Sequence, residues 1–137
     1  MRRATILLAI VCLAVGAVGC SKSYDEKAKD CATALTDRTG GDSADKPTVS
    51  EAEERVDAFD KTLADMVRQG YESVASDAYD KAGQKTEEGG KSRPKACEPL
   101  SKHDYTALLM AKSLDGLGWT GTGGEFDKLK MMEGLRD

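Results

Sequence analysis

The one histidine of this 137-residue chain, His103, is where chemistry near neutral pH would start. As a general base it would need a nucleophile within reach and a carboxylate to orient its ring. No serine or threonine sits in a recognisable nucleophile motif. As a metal ligand it would need companions at set offsets, such as a second histidine four residues on, and there is none. The pattern predicts a surface histidine at a helix start, with no catalytic residue and no metal ligand.

Other side chains invite chemistry and mostly fail its spacing rules. Taking Asp42 as the first position of a twelve-residue calcium loop puts Glu53 at the last and Val49 at the usual aliphatic one. Ala44, Lys46 and Pro47 then fall where oxygen ligands and a glycine are required, so a solvated loop and helix cap are expected instead. Met66, Met110, Met131 and Met132 lack the clustering of a soft-metal site and read as core filling. The glycine-rich stretch 116–124 follows no expected strand and carries no phosphate-binding Lys-Ser or Lys-Thr pair. Trp119 within it has two readings. It folds back to cap the domain, or it stands out as an aromatic contact for a partner. Asp57, Asp60, Asp65, Glu87 and Glu88 could serve glycosidase-like work only in a cleft at a set separation. On a helix such residues usually form the solvated face, with Asp57–Lys61 as a supporting i, i+4 pair.

These side chains depend on helices for their placement. Tyr24, Ala28, Cys31, Ala32 and Leu35 recur at helical spacing, which predicts a first helix over residues 23–37 with Cys31 on its buried face. A loop rich in Gly, Ser, Asp and Pro follows over 39–47. Ser50 and Glu53 fit a capping box, and the first turn is acidic. From Ala52 through Val56, Phe59, Leu63, Met66, Val67, Tyr71, Val74 and Ala78 to Ala82 the apolar steps are almost all three or four residues. Gly70 does not break that phase, so a bent continuous helix is expected, ahead of a solvated connection over 84–94. Ser101 caps a helix over 102–115 that is apolar over much of its circumference and is the expected central element. A short last helix over 125–133 would turn Phe126, Leu129 and Met132 inward. No stretch alternates with period two, so the fold class is all-α: a small bundle of three main helices plus a short C-terminal helix.

The chain begins with Arg2 and Arg3, an apolar run over 4–18 and a cysteine, Cys20, behind small residues. That layout is a secretory leader, too short for a stable span. The ending Ala17-Val18-Gly19-Cys20 resembles the lipobox of bacterial lipoproteins. With Cys31, Cys97 and the Leu-Asp-Gly-Leu-Gly-Trp119 segment, the chain is similar to small lipoproteins of actinobacteria of the Streptomyces type, a group that implies no activity. The resemblance implies cleavage of residues 1–19, a diacylglyceryl group on Cys20, a short lipidated tether over 20–22 and a single helical domain over 23–137. It also implies an extracytoplasmic location on the cell membrane, anchored by the lipid. Cys12 then leaves with the leader and Cys20 carries the lipid, so Cys31 and Cys97 remain to form one disulfide in an oxidising compartment.

Losing Arg2 and Arg3 leaves 18 basic against 24 acidic residues. That balance excludes nucleic acid as a partner, since phosphate binding needs clustered cations. The expectation is a non-enzymatic binding or interaction module for an envelope protein or small ligand, without a cofactor. The alternatives are a metal or cofactor carrier using the acidic loop, His103 or methionines, and, more weakly, a cell-wall hydrolase.

Overall fold

The computed structural model describes residues 22–137, so Cys20 and the expected leader lie outside the described residues. Among the described residues five α-helices form: α1 (Tyr24–Thr39), α2 (Val49–Arg68), α3 (Glu72–Gly89), α4 (Lys102–Gly116) and α5 (Lys128–Gly134). A single 3₁₀ turn (Lys95–Cys97) precedes α4. Among the described residues there is no strand, only an isolated bridge between Thr120 and Phe126. None of the described helices is long and apolar enough to cross a membrane.

Three of the four long helices, α1, α2 and α4, start where a side chain satisfies free backbone amides, whereas α3 follows Tyr71 without a side-chain cap. Ser23 and Glu26 make a capping box at α1. At α2 the box is Thr48 with Glu51, not Ser50 with Glu53. Starting two residues earlier brings Val49 against the core and releases the Glu53 carboxylate from capping. Ser101 caps α4 by accepting from the Asp104 amide, as its sequence position predicts.

The expected continuous helix through Gly70 is two helices. Gly70 takes φ 86°, its N–H donates to the Val67 carbonyl, and the Tyr71 N–H reaches back to Met66. Those two bonds satisfy the last carbonyls of α2 and end it, because glycine adopts the left-handed conformation without a Cβ clash. The apolar phase survives the break, since Ala75, Ala78 and Ala82 of α3 remain buried. Periodicity reports which face is buried, and two helices packed on each other bury the same face as one bent helix. The connection after α3 is also shorter than expected, because α3 runs to Gly89, which is buried against Thr39 and Leu109.

Helix α4 touches α1, α2 and α3 and is the central element. Ala28, Cys31, Leu35, Leu100 and Leu108 form one half of the core. Phe59, Met66, Leu114, Trp119 and Met131 form the other. Cys31 and Cys97 are joined by a disulfide, with both residues fully buried.

Trp119 is 1% exposed, so it presents no surface for a partner. Its backbone explains this. Gly118 takes φ 74° after α4, and the Trp119 N–H donates to the Leu114 carbonyl. That reversal turns the indole into the core beside Leu114 of α4, where it stacks on the Phe59 ring of α2 at 6.2 Å between centroids. Phe126 meets the same ring edge-on at 5.4 Å. Helix α5 is capped by Asp127 rather than beginning at residue 125. That shift puts Met131 inside and leaves Leu129 74% exposed, contrary to the expected inward face.

Candidate functional site: an acidic cleft over a buried charge network

The loop over 40–48, the first turns of α2 and the glycine-rich segment after α4 enclose a cleft of about 660 Å³. Its floor is a network of four charges. Arg55 of α2 is 4% exposed and holds Asp45 in a two-pronged pair, Nη1 to Oδ2 at 2.8 Å and Nη2 to Oδ1 at 2.9 Å. Its Nη1 also donates to the Ala111 carbonyl at 3.2 Å. Lys112 of α4 is fully buried. Its Nζ donates to the carbonyls of Asp42 (2.9 Å) and Asp45 (2.8 Å) and to Asp115 Oδ2 (2.8 Å). Asp115 also accepts from the Asp42 amide at 2.7 Å and from the Thr120 hydroxyl at 3.0 Å. Two cations and two carboxylates therefore balance in the floor and tie α2, α4 and both loops together.

The lysine ammonium sits where the acidic loop turns its oxygens inward. The stretch that raised calcium in the sequence thus closes around a cation supplied by α4. Glu53, the supposed twelfth ligand, points elsewhere, onto His103.

Electrostatics follow from these contacts. Burial by itself would push the Asp45 carboxyl up. The hydrogen bonds and charge of Arg55, with Lys112 behind, outweigh burial and hold it below its ordinary 3.8. Glu51 is also held low, chiefly by the Thr48 amide. Away from the cleft, burial and then the neighbouring Asp57 push Asp60 up from 3.8. Asp45 binds its proton less tightly folded than unfolded, so its stabilisation is complete above the unfolded value and vanishes as pH falls through the folded one. The denaturation midpoint, followed by fluorescence of Trp119, should stay flat from neutral pH to about 4 and fall below that. An Asp45→Asn variant should be less stable at neutral pH and decline less steeply in acid. Equal acid slopes in variant and parent would refute the assignment.

No family model, curated protein or solved structure matches this chain. The site's chemistry must therefore be read from its own atoms.

On the rim, Asp42, Glu51, Glu54 and Glu125 face Lys46 as the only cation outside the floor network. Asp42 accepts from the Ala44 amide and Glu51 from Thr48, whereas the Glu54 and Glu125 carboxylates make no hydrogen bond or ion pair among the described residues. The Glu125 carboxylate lies against Gly121 and Gly123, close enough that a Cβ at either position would collide with it. The glycines serve close approach within this loop rather than phosphate binding.

A second cluster lies apart from the cleft. His103 Nε2 is 3.0 Å from Glu53 Oε1, and Asp104 completes a group whose ligand atoms all lie within 4.8 Å of one another. His103 lacks companions along the sequence but finds them in space, because the first turns of α2 and α4 lie side by side. The Tyr24 hydroxyl donates to Asp104 Oδ2 and accepts from the Ser101 amide. Tyr24, the largest influence on that carboxyl, and Ser101 hold it below its ordinary value.

The carboxylates singled out in the sequence, Asp57, Asp60, Asp65, Glu87 and Glu88, do not line the cleft. The residues that do build it carried a signal of another kind. Arg55 falls in step with Ala52, Phe59 and Leu63 on the apolar stripe of α2, and Lys112 lies among the buried positions of α4. A cation in phase with a buried face must be paired or excluded.

Proposed function

We propose that this chain is a lipid-anchored extracytoplasmic lipoprotein, held by Cys20, that binds a cationic ligand in its acidic cleft without chemical turnover. The carrying observation is a cleft whose floor is charge-balanced and whose rim keeps Glu54 and Glu125 uncommitted. Carboxylates without internal partners, placed around a concavity, favour an amine-bearing small molecule or a basic segment of an envelope protein. A hydrolase has less support. The cleft's half-buried carboxylates, Asp45 and Asp115, are engaged by Arg55 and Lys112 rather than free to exchange protons with a substrate.

The test is thermal unfolding of the full chain with spermidine, a basic peptide, divalent metals and cell-wall fragments. A ligand specific to the folded state adds about 2.7 kcal/mol at a hundredfold excess over Kd. Saturable stabilisation by a polyamine or basic peptide, weakened at least about tenfold in a Glu54→Gln/Glu125→Gln variant, is the expected result. No saturable shift with any cationic probe, or an equal shift in the variant, sinks the cleft as the binding site. The anchor has its own readout: Cys20→Ser should move the protein from the membrane fraction to the soluble one.

A further inference from the structure

The cluster of Glu53, His103 and Asp104 stands apart from the cleft, and neither the core nor the cap of α2 uses it. We propose that it is a binding site for a borderline divalent transition metal, with Zn²⁺ as its probe. The donor set is one imidazole nitrogen and two carboxylate oxygens. That set suits zinc and its neighbours and disfavours calcium or magnesium, which take oxygen ligands alone.

The geometry is close to what the ion needs. Donors around tetrahedral zinc at about 2.0–2.1 Å stand roughly 3.3 Å from one another. His103 Nε2 and Glu53 Oε1 are already 3.0 Å apart, and all three ligand atoms lie within 4.8 Å of one another. His103 and Glu53 are exposed at their ends, so small rotations bring them together around an ion. Asp104 is steadied from outside the triad. Its Oδ2 accepts from the Tyr24 hydroxyl, which fixes the carboxylate's orientation. Outer partners of this kind orient ligating carboxylates.

Two helices contribute ligands, Glu53 from α2 and His103 with Asp104 from α4. An ion there would clip the first turns of both. Three protein ligands leave a fourth position open to water or to a donor from another molecule, as in exchanging or catalytic sites rather than closed structural ones.

The experiment is calorimetric titration of the metal-free full chain with Zn²⁺, repeated with Ca²⁺ and Mg²⁺. One saturable equivalent of Zn²⁺, no competition by Ca²⁺ or Mg²⁺, and a loss of at least about tenfold in affinity in His103→Ala are expected. Glu53→Gln should weaken binding in the same direction. His103 is an exposed side chain, so its removal leaves the core intact, and unfolding curves of the apo variant check this. The cleft variant Glu54→Gln/Glu125→Gln should bind Zn²⁺ as the parent does, which separates this site from the cleft. Absence of saturable Zn²⁺ binding, or equal affinity in His103→Ala and parent, overturns the proposal.

Discussion

Replacing Lys112 with methionine should cost about 3–5 kcal/mol, the scale for breaking a buried ion pair from one side. The side chain is fully buried, and its ammonium joins two loop carbonyls and the Asp115 carboxylate. Methionine fills a similar volume, so the loss reports charge and hydrogen bonding rather than a cavity. What it leaves behind is the costly part. Asp115 keeps the Asp42 amide and the Thr120 hydroxyl but loses its cation, and the Asp42 and Asp45 carbonyls lose the lysine donor. Domains of ordinary stability hold only about 5–15 kcal/mol in total, so the variant should sit near its limit. The control is Lys112→Met with Asp115→Asn. Removing both charges should recover part of the loss, since a neutral pair carries less desolvation cost than an orphaned carboxylate. Urea denaturation measures both variants. A loss below about 1 kcal/mol for Lys112→Met would show that the network is not a structural hub.

Removing the disulfide should have an effect of similar size. Cys31 and Cys97 are 66 positions apart, and loop-closure entropy for that span is about 4 kcal/mol. The bridge ties the middle of α1 to the turn that launches α4, so it joins the outer helix to the central one. Few aromatic side chains fill this core, and alanines make up much of it. A thin core gives the cross-link a large share of the total. The variant Cys31→Ala/Cys97→Ala should lower Tm by on the order of ten to twenty degrees. Reduced parent protein should behave the same way, which separates loss of the bond from loss of the sulfur atoms. A drop of only a degree or two in both would mean that helix packing alone carries the fold.

Much of this architecture was legible because helices announce themselves locally. The stripe of Ala28, Cys31, Ala32 and Leu35 specified α1, and Ser101 with the apolar run behind it specified the central helix. Caps and periodicity depend on neighbours within one turn, so they survive in one dimension. The stop at Gly70 was less legible, because a continuing apolar phase fits a bend and a break equally well. The start of α2 was ambiguous for a related reason. Thr48–Glu51 and Ser50–Glu53 both match the capping pattern, and packing of Val49 chose between them.

The functional surfaces needed the third dimension. Sequence spacing left His103 without companions, since Glu53 is 50 positions away and reaches it only because α2 and α4 pack together. The acidic loop looked like a failed calcium site, and its missing partner was Lys112, 67 to 70 positions on. Trp119 allowed two readings in the sequence, and the left-handed turn at Gly118 sent it into the core. The sequence by itself therefore determined the helical class, the main helix faces and the phase of the core, all set by contacts within a few residues. Only the tertiary structure decided which charges are buried together, where the cleft opens and which ligand atoms meet. Those properties depend on pairs far apart in the chain, whose distances are set by packing and not by spacing.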